Sequence, residues 1–181
     1  MLTHRVLLAL GVSAIALGVL GCGGGEGPAN DGPDGGSPSC PMYTSTADLT
    51  TPTVSFKTDV MPVFQGSCQT STCHGSMSAP EGGLFLGEAS AMGGDASTVY
   101  AGLVGKKSQE LATMDFVATG GGASAPTGSY LMHKLDGDQC AYSSQCTGDD
   151  CLALMPDGEG LLPVATRDTI RRWIFQGAAA N

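Results

Sequence analysis

The chain has 181 residues, of which 41% are hydrophobic, and a formal net charge of -9. This length allows one ordinary domain, while 28 glycines and 10 prolines indicate that part of the chain does not pack. The negative charge argues against nucleic acid as a partner, because binding to phosphate requires clustered Lys and Arg.

The N-terminus has the pattern of a secretory signal sequence. His4 and Arg5 precede an apolar run from Val6 to Leu20, which is short for a membrane-spanning helix. The run ends in Val-Leu-Gly before Cys22, which resembles the lipobox of bacterial lipoproteins; ordinary signal cleavage nearby is the alternative. We therefore expect residues 1–21 to be a lipoprotein-type signal peptide. Lipidation of Cys22 would anchor an extracytoplasmic protein to a membrane, in the periplasm or cell envelope of a bacterium.

A polar segment rich in Gly and Pro follows Cys22. Its composition provides no apolar periodicity, so residues 22–52 are expected to form a disordered, flexible tether, with the folded domain at residues 53–181. Seven cysteines favour an oxidising compartment, and six remain for the domain and its lead-in once Cys22 is lipidated. We expect Cys40 to pin the lead-in to the domain.

The domain is expected to be mostly α, a small helical unit with long Gly-rich loops. Turn and capping residues between short apolar repeats predict four helices. Residues 82–87 form an apolar triplet bracketed by glycines, typical of a strand or an extended segment, and residues 119–128 are expected to be a loop. The predicted helices are Thr58 to Gln65 with Thr58 as N-cap, Ser97 to Val104, Tyr130 to Leu135 capped by Ser129, and Leu162 to Gln176 with Pro163 at its first position.

The segment with the strongest functional signal is a C-x4-C-H motif formed by Cys68, Cys73 and His74. Two cysteines followed directly by a histidine suit covalent haem attachment, with thioethers to the haem vinyls and the imidazole as proximal iron ligand. The usual spacing has two residues between the cysteines, so this motif is less specific. A disulfide between Cys68 and Cys73 is the alternative interpretation.

Two further residues are candidates for the distal iron ligand. Met155 precedes Pro156, which stiffens the backbone and would present the thioether sulfur at a fixed angle; a thioether favours ferrous iron, as suits an electron carrier. A buried methionine that fills a gap in the core is the commoner fate. His133 lies on a short amphipathic helix, where a histidine is more often only a surface residue.

A cysteine-rich loop precedes Met155. Its aspartates lack the regular spacing of an EF-hand, and a zinc site would require more closely paired ligands, so a disulfide-pinned surface loop is favoured. The sequence does not choose among the three possible pairings of the four disulfide candidates, which are Cys40, Cys140, Cys146 and Cys151.

The last predicted helix carries Trp173 on an apolar face with Ile170 and Ile174, and we expect it to pack across the first helix. The helix also carries three arginines. They are expected to face outwards, or one of them to pair with a haem propionate. These arginines are Arg167, Arg171 and Arg172.

Together, these segments resemble a known family. The series Phe-Lys-Thr-Asp-Val-Met-Pro-Val-Phe, C-x4-C-H, Gly-Gly-Leu-Phe-Leu, Ser-Tyr-Leu-Met-His-Lys-Leu, Met-Pro and Arg-Arg-Trp-Ile-Phe-Gln-Gly-Ala is similar to the cytochrome c-like domains of bacterial extracytoplasmic lipoproteins, including those called planctomycete-type cytochrome C. The similarity runs from about Ser55 to Ala178. The longer cysteine spacing and the cysteine-rich loop depart from mitochondrial-type cytochromes c.

That resemblance implies an all-α haem c domain. Cys68 and Cys73 would attach the haem covalently, His74 would be the proximal ligand and Met155 the distal ligand. The leading hypothesis is therefore a membrane-anchored electron carrier, without catalytic residues, that exchanges one electron with a redox protein partner.

Two alternatives stay open. One is a haem-bearing sensor or peroxidase-like enzyme in which Met155 does not hold the iron. The other is a haem-free surface lipoprotein, stabilised by disulfides, that acts as a binding or structural module.

Overall fold

The computed structural model describes Cys40, residues 42–88 and residues 96–181. The predicted signal peptide, the predicted lipidation site Cys22 and most of the predicted tether lie outside these residues. Within the described part, no helix has both the length and the apolar character needed to cross a membrane.

The domain is mostly α, as the sequence predicts. In the described residues the regular structure consists of helices and helical turns, and β-structure is limited to three isolated bridges. The α-helices are α1 (Met61–Ser67), α2 (Ala96–Leu103), α3 (Ser124–Thr127), α4 (Tyr130–Asp136) and α5 (Val164–Phe175). A π-helical turn (Phe56–Val60) leads into α1, and 3-10 turns occupy Glu81–Gly83, Gln139–Gln145 and Thr147–Asp149.

The start of the first helix differs from the prediction. Ser55, not Thr58, is the N-cap: its hydroxyl accepts a hydrogen bond from the Thr58 N–H, and the Asp59 carboxylate accepts one from the Ser55 N–H at 2.7 Å. This reciprocal pairing satisfies backbone donors that the helix start would otherwise leave free. The helix therefore begins earlier than predicted and ends at Ser67, so that Cys68 is its C-cap.

Two other boundaries also change. The predicted loop at residues 119–128 contains the short helix α3, which is closed by the Gly128 N–H donating to the carbonyl oxygens of Ser124 and Ala125. Ser129 stands at the N-cap position of α4, but its hydroxyl bonds Ala118 and Ala125 instead of the helix. Helix α2 matches the prediction to within one residue at each end.

An aromatic cluster joins the two ends of the domain. Trp173 on α5 is fully buried, and its ring centroid lies 5.0 Å from that of Phe56 in the turn before α1. Tyr100 on α2 completes the cluster through an edge contact with Phe56 at 5.5 Å. This contact confirms that α5 packs across the first helical segment.

The residues just before the first helix lie against α5. Arg172 donates to the carbonyl oxygen of Asp48 at 2.9 Å, and the Gln176 amide donates to the carbonyl oxygens of Leu49, Thr50 and Pro52. A disulfide between Cys40 and Cys140 adds a covalent link to the 3-10 turn after α4. The predicted pinning of the lead-in through Cys40 is therefore confirmed.

Two arginines of α5 are buried, so the prediction that they face outwards is wrong. Arg167 and Arg171 are only 4% and 5% exposed, and both bond the carboxylate of Asp136 at the end of α4. Asp168 also pairs with Arg171, and the ring of Tyr43 stacks on both guanidinium groups at 4.6 and 4.9 Å. Charges can be buried here because each guanidinium has an anionic partner.

Candidate functional site

A cavity of about 1160 Å³ lies between α1, the segment after it, α4 and the loop before α5. Its volume is slightly above the range of about 300–1,000 Å³ that is usual for small-molecule and cofactor sites. Its lining includes all four residues that the sequence pattern indicates for haem. Cys68, Cys73 and His74 come from the segment after α1, and Met155 comes from the loop before α5. Residues 81 positions apart in sequence therefore meet at one cavity.

The four residues between the two cysteines form an ordered turn. The Cys73 N–H donates to the Thr70 carbonyl at 3.0 Å, and the Gly75 N–H donates to the same oxygen at 2.9 Å. Gln69 points into the core, where its amide donates to the Leu86 carbonyl at 2.8 Å. The longer spacing of the motif thus has a defined conformation, with its second residue fixed in the protein interior.

His74 is held in one orientation by the extended segment after the turn. Its Nδ1 lies 2.8 Å from the carbonyl oxygen of Leu84, and its own carbonyl accepts from the Leu86 N–H at 2.9 Å. A carbonyl oxygen only accepts hydrogen bonds, so Nδ1 carries the proton and the lone pair of the neutral ring is on Nε2. Burial lowers the pKa of His74, and this outweighs the opposing hydrogen bonds and the nearby charges of Glu81 and Glu110. A neutral imidazole bonded to a carbonyl through one nitrogen is the usual state of a metal-ligating histidine.

The two cysteines of the motif differ in state. Cys68 has a free thiol, and burial, with a contribution from the charge of Glu159, raises its pKa to about 12. Cys73 takes part in a disulfide. Covalent attachment of haem at both positions therefore requires reduction of Cys73 first.

Met155 is half-buried and is held by α4. Its N–H donates to the Lys134 carbonyl at 2.8 Å, and the Lys134 ammonium donates in turn to the Cys151 carbonyl at 2.8 Å. The Tyr130 hydroxyl donates to the same Cys151 oxygen at 3.1 Å. The segment from Cys151 to Met155 is thus hydrogen-bonded to α4 at both of its ends.

His133 lies outside the lining of this cavity. Its Nδ1 is 2.7 Å from the Asp138 carboxylate, and its Nε2 is 3.0 Å from the Thr127 carbonyl oxygen. Since both ring nitrogens face acceptors, neither offers a lone pair for iron. His133 therefore has a structural role that links α4 to the residues on either side.

The cysteine-rich loop is closed by disulfides, as predicted. Cys146 pairs with Cys151 across the turn before the Met155 segment, while Cys140 pairs with Cys40. The described residues contain no group of three or more His, Cys, Asp or Glu side chains arranged to hold a metal ion.

Two polar residues of the cavity wall, Lys134 and Gln139, were not predicted from the sequence. Both are 7% exposed. Every residue of α4 from Tyr130 to Leu135 is buried, and this burial is a property of the fold that the local sequence does not signal.

Comparison of the chain with protein-family models, with curated proteins and with solved structures gives no significant match. The assignment of a function therefore depends on the chemistry of this cavity.

Proposed function

We propose that the protein is an extracytoplasmic c-type cytochrome that transfers single electrons through a covalently attached His/Met haem. One observation carries this proposal: the cavity brings Cys68, Cys73 and His74 together with Met155. The proposed lipid anchor at Cys22 would hold the domain at a membrane of the cell envelope.

The residues fit the group that the proposal requires. His74 presents Nε2 with its lone pair, and Met155 adds a soft sulfur donor that would favour ferrous iron. In a thioether the thiol S–H adds across a vinyl double bond, with sulfur bonded to one carbon and hydrogen to the other, so no oxidant is consumed. Cys68 already has the free thiol. Cys73 would gain it when a cellular thiol reductant supplies two electrons and two protons to its disulfide.

When bound, the haem would supply a one-electron redox couple, and the chain would orient it and limit the access of water. Several carboxylates line the cavity, and the net charge of the chain is -9, so a partner with a basic docking surface would be favoured electrostatically. The carboxylates are Glu81, Glu110, Asp150, Asp157 and Glu159.

The test is production of the protein in a host that has cytochrome c maturation. The expected result is a Soret band that survives acid-acetone extraction, together with a mass increment of one haem. An extractable chromophore, or none, would contradict the proposal. Cys73→Ala should lose one thioether, whereas Met155→Leu should keep the haem and change the visible spectrum because the sulfur ligand is absent.

Matched controls come from the same chain. Met77 is 59% exposed and does not line the cavity, so Met77→Leu should leave the spectrum unchanged. His133→Gln should likewise retain the haem spectrum, whereas His74→Gln should abolish the low-spin form. If His133→Gln and His74→Gln alter the spectrum equally, the assignment of His74 as proximal ligand is wrong.

A second candidate function has its own support, because Cys73 takes part in a disulfide. In this candidate the protein is a haem-free, disulfide-stabilised surface lipoprotein whose cavity binds another small molecule. The disulfides Cys40–Cys140 and Cys146–Cys151 suit such a module. Intact mass separates the two candidates, because this candidate gives no mass increment of a porphyrin.

A further inference from the structure

The chain ahead of the first helix forms a strap on the surface of the domain, made of Cys40 and residues 42–52. From residue 42 to residue 50, exposed and half-buried side chains alternate, as expected of an extended segment that turns every second residue towards the domain. None of residues 42–50 is fully buried. The strap is therefore held by specific contacts and has no core of its own.

The C-terminal end of the strap is held by the end of α5. Arg172 donates to one carbonyl oxygen of residues 48–52 and the Gln176 amide to three others, at distances between 2.9 and 3.2 Å. Just beyond the strap, the Val54 N–H donates to the Gln176 Oε1 at 2.9 Å. Together these hydrogen bonds fix the strap from Asp48 onwards.

The N-terminal end of the strap has fewer contacts. The Tyr43 N–H donates to the Asp138 carboxylate at 2.8 Å, and the Ser45 hydroxyl donates to the Asp168 carboxylate at 2.8 Å. The Tyr43 ring also lies over the two buried guanidinium groups of α5. Because Tyr43 and Ser45 are only half-buried, water competes for these contacts, and the covalent link at Cys40 keeps the strap in place.

That covalent link is the accessible one of the two disulfides described above. Cys140 is exposed and Cys40 is half-buried, whereas Cys146 and Cys151 are only 6% and 1% exposed. Attack on a disulfide requires access of a thiolate to sulfur. Cys146 and Cys151 are also only 5 residues apart, so their thiols stay close and re-form the bond, while Cys40 and Cys140 are 100 residues apart. A reductant should therefore select Cys40–Cys140.

We propose that Cys40–Cys140 is a site of thiol–disulfide exchange with a dithiol reductant, and that its reduction releases Cys40 and residues 42–47 from the domain. A thiolate of the reductant attacks the sulfur of Cys140, and Cys40 leaves as a thiolate that takes up a proton. The second thiol of the reductant then resolves the mixed disulfide on Cys140. The reductant becomes a disulfide and the two cysteines become thiols, so two electrons and two protons are transferred.

Release of the strap would lengthen the connection between the domain and the proposed lipid anchor. The eight residues from 40 to 47 span at most about 3.5 Å each, so the domain would gain roughly 28 Å of reach. This consequence rests on the proposed function for the anchor at Cys22, whereas the exchange reaction does not. A thiol reductant of the same class is what haem attachment requires at Cys73.

The first experiment measures which disulfide is reduced. The full chain, purified in detergent without haem, is treated with limiting dithiothreitol, quenched with excess N-ethylmaleimide in denaturant, and mapped by peptide mass spectrometry. Cys40 and Cys140 should gain the label about tenfold or more faster than Cys146 and Cys151. With glutathione, which lacks a second thiol, the mixed disulfide should be found on Cys140.

The second experiment measures release of the strap by amide hydrogen exchange on the same samples. After reduction, the Tyr43 amide should exchange about tenfold or more faster, because Asp138 no longer protects it. The Val54 amide, bonded to Gln176, is the control within the molecule and should keep its exchange rate.

Two double variants assign the effect to one disulfide. Cys40→Ser with Cys140→Ser should show the fast exchange of Tyr43 without any reductant. Cys146→Ser with Cys151→Ser is the matched control, and it should keep Tyr43 protected because it removes a disulfide without opening the strap. If the first double variant fails to fold, the reduced wild type decides the question alone.

The inference is overturned if Cys146–Cys151 is reduced as fast as Cys40–Cys140, if glutathione is found on Cys40, or if Tyr43 stays protected after reduction. Covalent haem is scored separately, by acid-acetone extraction of the protein from a maturation host. Release of Tyr43 in a chain that never gains covalent haem supports the exchange site and refutes the proposed cytochrome. Covalent haem, with Tyr43 still protected after reduction, supports the cytochrome and refutes the exchange site.

Discussion

Replacement of Asp136 by Asn should be among the most damaging single changes in this domain. The Asp136 carboxylate, 7% exposed, accepts from Arg167 at 2.5 Å and from Arg171 at 2.6 and 2.5 Å. Asn has nearly the same shape but no charge, and its NH₂ group would face a guanidinium donor. Asp168 would still compensate Arg171, whereas Arg167 would lose its anionic partner and keep its hydrogen bond to the Leu162 carbonyl and its contact with the Tyr43 ring.

The size of the expected loss in stability follows from the burial of this ion pair. Removing one partner of a buried ion pair leaves an uncompensated charge and costs about 3–5 kcal/mol. The guanidinium side chains are 5% and 6% exposed, so solvent screens them little. Because Asp168 still pairs with Arg171, we expect a value near the lower limit, a loss of about 3 kcal/mol in the free energy of unfolding.

Urea unfolding followed by circular dichroism, with disulfides intact, measures this change. The control is Asp115→Asn, which breaks the pair with Lys107 at 2.8 Å, where the side chains are 60% and 24% exposed. An exposed pair of that kind contributes less than about 1 kcal/mol. If Asp136→Asn costs no more than Asp115→Asn, buried charge pairing does not join α4 to α5 in the way inferred above.

Three further predictions concern single residues. Burial alone would lower the pKa of His133, but hydrogen bonds to Asp138 and Thr127 and the charge of Asp138 outweigh it and raise that pKa. A raised folded-state pKa gives stability that is complete below the unfolded value of about 6.5. That contribution is lost as pH rises through the folded pKa, so wild type should lose stability above pH of about 6.5 relative to His133→Gln; parallel pH profiles would contradict this. Gly75→Ala should destabilise the protein by about 1–3 kcal/mol, because the added Cβ would collide with the Gln69 and Thr70 carbonyls; urea unfolding at the wild-type midpoint would refute it. In the haem-free protein, burial keeps Cys68 protonated at neutral pH, so iodoacetamide should react with it at least tenfold faster after unfolding than in the native state; equal rates would show that the thiol is accessible in the fold.

Local sequence patterns predict the elements whose causes are local. Helix α2 and helix α5 follow from apolar spacing, and Trp173 is found on the buried face that the spacing indicates. The predicted start of the first helix was wrong, and only part of the cause is local: Ser55 pairs with Thr58 and Asp59, but the distant Asn181 also holds this turn. The Ser55 hydroxyl donates to the Asn181 carbonyl, and the Phe56 N–H donates to the Asn181 side chain, contacts that no local window contains.

The candidate site likewise contains residues that the local sequence predicts and residues that only the fold brings to the cavity. A short motif predicts Cys68, Cys73 and His74 as neighbours, and the structure places Met155 at the same cavity. Lys134 and Gln139 were missed because a lysine in a helix normally indicates an exposed face. Only the packing of the Cys151 segment against α4 makes a buried position for that ammonium.

The structure also changes which feature decides between the two candidate functions. The sequence alone makes the C-x4-C spacing the main objection to haem, because two additional residues separate the thiols. In the folded protein, those residues form a turn anchored by Gln69 in the core and closed on Thr70, and His74 is oriented by Leu84 from the opposite side. The orientation of the imidazole therefore does not depend on the number of residues in the turn. What separates a cytochrome from a disulfide-stabilised module is the oxidation state of Cys73, and an envelope thiol reductant that keeps this residue reduced would make haem attachment available to the same fold.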